Sequence, residues 1–79
     1  MNIKIIGSNC SNGIKLKKSV FKLGKEIKGT YTLELLDTES DKKRYNISNI
    51  PALVINEKVI SQGKVLTDRE IKHYIELFD

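Results

Sequence analysis

Lys4-Ile5-Ile6-Gly7-Ser8-Asn9-Cys10-Ser11-Asn12-Gly13 is the stretch on which the reading of this chain turns. Before the glycine, Asn2 to Ile6 alternates and is β-branched, the pattern of a strand. After it, positions 11 to 28 place Leu16, Val20, Leu23 and Ile27 at intervals of four, three and four, the pattern of an amphipathic helix. The stretch is therefore a strand-to-helix junction, with the chain's single cysteine at the turn. A thiol in that position is expected to be exposed and to face the positive end of the helix dipole, which favours the thiolate. A second cysteine three places on would make a dithiol. That place is Gly13, so a mixed disulfide at Cys10 has no partner within the chain to resolve it.

Working outward, Gly29 reads as a helix stop, and Tyr31, Leu33 and Leu35 alternate with Thr32 and Glu34 as a second strand. The polar stretch from Thr38 to Asn46 predicts a short helix starting at Asp37 or Thr38, with Tyr45 and Ile47 as its apolar pair. Ala52-Leu53-Val54-Ile55 is a continuous apolar run, typical of a strand buried on both faces. Asn56-Glu57 is a two-residue turn into Lys58-Val59-Ile60-Ser61, which makes a hairpin. Thr67 and Glu70 form a capping box for a last helix, which turns Ile71, Tyr74, Ile75 and Phe78 inward and leaves Lys72, His73 and Glu76 to water. No linker or repeat divides the chain. Right-handed crossovers then place the first two strands side by side and parallel, and the hairpin completes the sheet. The expected fold is a single α/β domain over residues 1–79, β-α-β-α-β-β-α, with a four-stranded mixed sheet flanked by helices.

Composition narrows the function. Seventy-nine residues, 39% of them hydrophobic, allow one modest core near the size at which cross-links become useful. One cysteine closes no internal disulfide, and one histidine, His73, far from Cys10 in the chain, offers no zinc-ligand spacing. Neither a metal nor a cofactor is expected. An unpaired thiol, with Met1 leading straight into strand-like sequence, gives the expectation of a reducing, cytoplasmic setting and no membrane partner. The net charge is +4, and Lys15, Lys17, Lys18, Lys22, Lys25 and Lys28 put six of the fourteen basic residues on the first helix. This reads as a solvated face that can steer an acidic partner. Nucleic acid is disfavoured, because the stripe is all lysine and Phe21 fits the apolar face of the helix.

The junction quoted above, together with Asn49-Ile50-Pro51-Ala52-Leu53-Val54-Ile55-Asn56, resembles the small thioredoxin-like proteins sometimes called redox-active disulfide proteins. These are glutaredoxin-sized members of the thioredoxin superfamily, and the resemblance spans essentially the whole chain. By itself Pro51 reads as the start of a strand. The resemblance implies instead a cis proline whose loop packs beside the redox cysteine, with the backbone of Ile50 pairing with an extended substrate segment. Cys10 is then the nucleophile, and Ser11, Asn12, Gly13, Ile50 and Pro51 border the substrate. The family's usual pattern has its second cysteine where Gly13 stands, so the implied chemistry is monothiol. A mixed disulfide forms with a protein or small-molecule thiol, and an outside thiol finishes the exchange. Ser61-Gln62-Gly63-Lys64 lacks the paired glycines and acidic cap that mark glutathione-binding glutaredoxins.

A different class stays open beside this one: a non-catalytic thioredoxin-fold binding module that keeps the groove beside Pro51 for an extended peptide. Read locally, Ser11 and Asn12 are caps for the backbone N–H groups of the helix start. Gly13 is a position that lets a partner approach closely, since glycine in a first helical turn is otherwise unfavourable by roughly 1 kcal/mol against alanine.

Overall fold

The computed structural model describes residues 1–27 and 29–78. Its elements follow the expected order: β1 (Asn2–Ile6), α1 (Ser11–Leu23), β2 (Thr32–Leu36), α2 (Glu39–Arg44), β3 (Ala52–Ile55), β4 (Lys58–Gln62) and α3 (Asp68–Phe78). The four strands form one sheet in the order β2-β1-β3-β4. β1 pairs parallel with β2, from Asn2 opposite Thr32 to Ile6 opposite Leu36, and antiparallel with β3, where Ile3 faces Ile55. β3 and β4 are antiparallel, with a bulge opposite the Leu53/Val54 step. This is the thioredoxin-like arrangement, and it puts the C-terminal end of central strand β1 beside the N-terminal end of β3.

The two faces of the sheet are unequal. Ile3, Ile5, Leu53 and Ile55 pack under Leu16, Val20 and Leu23 of α1 and Ile71 and Ile75 of α3, closed by Leu66 and Ile27. Burying one such leucine contributes about 1.5–3 kcal/mol, and this layer fixes α1 over the sheet. The opposite face is thinner: Ile6, Ala52 and Val54 are covered by Leu36, Tyr45 and Ile47. Alternation along β1 sends Lys4 to that face, where it is only 5% exposed. A buried ammonium needs partners, and Lys4 Nζ donates to Tyr45 Oη at 2.7 Å and to the Glu57 carboxylate. Tyr45 Oη in turn donates to Glu57 Oε2 at 2.6 Å.

The caps and turns carry the polar sequence signals. Thr38 is the N-cap of α2, in a reciprocal box with Asp41. Thr67 N–H donates to Glu70 Oε1 at 3.1 Å, and Glu70 N–H donates to Thr67 Oγ1 at 3.2 Å. The Thr67 N–H, and then the Thr67 hydroxyl that donates to Glu70 Oε1 at 3.2 Å, hold the Glu70 carboxyl below its ordinary value. In the hairpin turn, Asn56 and Glu57 both have positive φ, 49° and 69°, the backbone that matches strand twist. Glu57 tolerates that conformation while its carboxylate anchors Lys4.

Two expectations need correction. The α-helical part of the first helix ends at Leu23 and tightens into a 3-10 turn over Gly24–Glu26, a common way to finish a helix; Lys28, the expected last position, lies outside the described residues. Phe21 does not join the apolar face. It is 62% exposed, because the inward stripe runs through Leu16, Val20 and Leu23 and a residue one step past Val20 is turned about 100° away from it. Phe21 shares its side of α1 with Lys17, Lys18 and Lys25 instead.

Candidate functional site

The site grows from the loop between β1 and α1. Gly7 N–H donates to Leu36 O at 2.9 Å, extending the parallel ladder by one step. Gly7 itself sits at φ +80°, a conformation that favours glycine, and from there the chain turns into Ser8. Ser8 is 2% exposed. Its N–H donates to Asp37 Oδ1 at 2.7 Å and its hydroxyl lies 3.0 Å from both carboxylate oxygens. Asp37, just past the end of β2, thus ties the loop to the neighbouring strand.

Cys10 follows as the N-cap of α1, with extended backbone (φ −78°, ψ 162°). Its carbonyl accepts the Ile14 N–H at 2.9 Å, the first intrahelical bond. Its Sγ accepts the Gly13 N–H at 3.2 Å and lies 3.2 Å from Gly7 O, to which the thiol donates. The thiol is half-buried, less open than the sequence suggested. Because sulfur takes the cap, Ser11 and Asn12 do not: both lie exposed in the first turn.

Gly13 is buried, and what approaches it is the chain's own backbone. A β-carbon built there would stand 2.2 Å from Gly7 O, 2.8 Å from Ser8 Cα and 2.9 Å from Ser8 C. The expectation of a partner approaching Gly13 is replaced by an internal contact that fills the place of a second thiol.

The proline loop closes the other side. The Ile50–Pro51 peptide is cis. Pro51 is buried and its carbonyl accepts the Gly63 N–H at 2.9 Å. The loop fits between two glycines: a β-carbon on Gly7 would lie 2.6 Å from Ile50 Cβ, and one on Gly63 would lie 2.8 Å from Asn49 Cβ. Ser48 N–H donates to Gln62 Oε1 at 2.9 Å and pins the loop to β4. Ile50 is 40% exposed, and among the described residues its N–H and C=O take part in no backbone hydrogen bond. Gly7 is therefore the hub, with its carbonyl against Cys10 Sγ and its α-carbon against Ile50.

Of the residues singled out from sequence, Cys10, Gly13 and Ile50 lie around Gly7, Pro51 follows Ile50 and bonds to Gly63, and Ser11 and Asn12 are exposed in the first turn. Sequence reasoning missed Ser8, Asp37 and the packing roles of Gly7 and Gly63. The only sequence signal for these was a serine after a turn glycine and an aspartate at a strand end. Among the described residues no cluster of three or more His, Cys, Asp or Glu side chains is placed to hold a metal. No described helix is long and apolar enough to cross a membrane.

A four-stranded mixed sheet in this order, flanked by helices, has the thioredoxin-like arrangement. The chain belongs to the thioredoxin-domain family, whose family model, described as "Thioredoxin domain", matches residues 1–76. No curated protein and no solved structure matches the chain.

Proposed function

We propose that this thioredoxin-fold protein performs monothiol thiol–disulfide exchange through Cys10, on a disulfide carried by an extended peptide or a small molecule. The Cys10 thiolate attacks one sulfur of the disulfide; a Cys10–substrate S–S bond forms, the original S–S bond breaks, and the departing thiolate takes a proton. An outside thiol, protein-borne or of low molecular weight, then attacks the mixed disulfide. It leaves with the substrate sulfur as a new disulfide and returns Cys10 to the thiol, so no net electrons pass to the protein. Ile50, next to Pro51 and with its N–H and C=O in no backbone hydrogen bond among the described residues, holds the extended segment. Ser11 and Asn12, exposed on the first turn, border it, and Gly13 supplies the N–H that meets sulfur. A cytoplasmic, reducing setting suits a protein whose partner thiol must come from outside.

The observation that carries this reading is the contact between the Gly13 N–H and Cys10 Sγ at 3.2 Å, which leaves a half-exposed sulfur at the start of an intact helix. One observation favours a second reading: the same sulfur has a structural role as a cap, and a binding module without turnover needs no more than that together with the Ile50 edge. Hydroxyethyl disulfide separates the two. Exchange requires a mass adduct on the folded protein that added thiol removes and that Cys10→Ser does not form. An adduct seen only after unfolding leaves the binding module.

A further inference from the structure

β2 is the edge strand of the sheet, paired only with β1. Within a strand the N–H and C=O of one residue point to the same side and alternate from residue to residue. Thr32 N–H donates to Met1 O and Leu36 O accepts from Gly7 N–H, so Thr32, Glu34 and Leu36 turn their main chain toward β1. Leu33 and Leu35 present theirs to the open edge, where an unpaired strand is a template for another one. The same two leucines face α1 and, with Phe21, floor a trough of about 590 Å³ between that helix and the strand. Leu35 is 43% and Phe21 62% exposed. The rim is Lys17, Lys18, Lys22 and Lys25, and no carboxylate lines it. Lys22 pairs with Asp68 at 3.3 Å, while Lys17, Lys18 and Lys25 have no ion-pair partner among the described residues.

We propose that the free edge of β2 and the adjoining lysine-rimmed trough form a docking site for an extended acidic peptide segment of another protein that carries both apolar and acidic residues on one face, at every second position. Such a segment adds a fifth strand to the sheet. Its main chain pairs with Leu33 and Leu35, and the set of side chains that faces α1 supplies both the apolar groups that cover the leucines and Phe21 and the carboxylates that meet the lysines. An alkyl carboxylate would satisfy the apolar floor but not the strand edge. A second copy of this chain would bring lysine against lysine, in a protein of net charge +4. The site lies along the middle and end of α1, away from the helix start that carries Cys10, and does not depend on exchange chemistry.

The test is titration of the ¹⁵N-labelled full chain with an acetylated, amidated heptapeptide of sequence Glu-Thr-Val-Thr-Val-Thr-Glu, which places glutamates and valines on one face, beside its counterpart with lysine in place of glutamate. Saturable shifts centred on Phe21, Leu33 and Leu35, with slowed hydrogen exchange at the amides of Leu33 and Leu35, are the expected result. The lysine peptide should give no such response. Raising salt should weaken binding, and Lys17→Glu together with Lys18→Glu should reduce affinity about tenfold or more. These positions are exposed or at the rim, so the fold should persist; Phe21→Asp, at a 62% exposed site, is the second variant and should also weaken binding. Cys10→Ser should bind as the parent does. The proposal is overturned by absence of binding at about 1 mM peptide or by shifts confined to the Ile50 loop. It is also overturned by equal binding of both peptides, by laurate occupying the trough where the peptide does not, or by a dimer that already protects Leu33 and Leu35.

Discussion

Gly13 lies so close beneath Gly7 that a β-carbon at position 13 would stand 2.2 Å from the Gly7 carbonyl oxygen. The same carbonyl lies 3.2 Å from Cys10 Sγ. The first helical turn has therefore closed on its own backbone three places after Cys10, and the proposed exchange finds no room there for a resolving thiol.

Gly13→Ala should destabilise the protein. Alanine gains roughly 1 kcal/mol in helix propensity, but the neighbouring atoms are backbone and cannot rotate away, and overpacking of this kind costs about 1–3 kcal/mol or more. A urea midpoint lower than that of the parent is the expected outcome. From sequence, Gly13→Cys looks like a route to an internal disulfide with Cys10; the structure reverses that expectation. The variant should remain a dithiol by mass under mild oxidation, unless the Gly7–Ser8 backbone has moved.

Cys10→Ser and Cys10→Ala separate the cap from the chemistry. Serine is among the best N-caps and alanine among the worst, a difference of about 0.5–2 kcal/mol. Chemical denaturation should find the serine variant near the parent and the alanine variant below it, although neither forms a mixed disulfide.

Asp37→Ala should loosen the loop ahead of the thiol. It strips the acceptor from the Ser8 N–H and hydroxyl, which are buried and bonded to no other carboxylate. Leaving a buried donor unpaired costs about 1–3 kcal/mol. The expected reading is a lowered unfolding midpoint, together with faster hydrogen exchange at the Ser8 amide.

The Lys4, Tyr45 and Glu57 network sets a pH window for stability. The Lys4 hydrogen bond, and then that of Tyr45, hold the Glu57 carboxyl below its ordinary value; the bonds to Glu57 and then Tyr45 hold the Lys4 ammonium above its own. The Glu57 contribution is present above the ordinary glutamate value and lost as pH falls through the lowered one. The Lys4 contribution is present below the ordinary lysine value and lost as pH rises through the raised one. Glu57→Gln should lower stability at neutral pH and reduce the loss seen between about pH 6 and pH 2. Adding Lys4→Met should restore part of the neutral-pH stability, because it removes the buried charge left without its carboxylate. Urea midpoints measured across that range check both.

Much of this architecture was legible because its signals are local. The Thr67–Glu70 box, the Asn56-Glu57 turn and the four, three spacing of Leu16, Val20 and Leu23 in α1 each specify a structure within a few residues. Lys4 was not legible: a lysine at an alternating strand position reads as solvent-facing, and its burial depends on Tyr45 and Glu57, far along the chain. Phe21 was assigned to the apolar face on its chemistry, although helix geometry places it among lysines. Gly13 showed as the absence of a thiol, while its reason, a carbonyl from the preceding strand end, appears only when α1 packs onto β1. The proline loop could be recognised by resemblance, but the two glycines that grip it are contacts across the sheet.

The most direct test of exchange at Cys10 is its rate of mixed-disulfide formation with an extended peptide disulfide, followed by intact mass in the folded protein and in the urea-unfolded chain at the same pH. If the helix start and the Ile50 edge assemble an exchange site, the folded protein reacts faster than the unfolded chain, and N-methylating the peptide's main chain, which removes its pairing with the Ile50 backbone, cuts that advantage without changing the unfolded rate. A folded rate at or below that of the unfolded chain, or an advantage undiminished for the N-methylated peptide, would contradict the account.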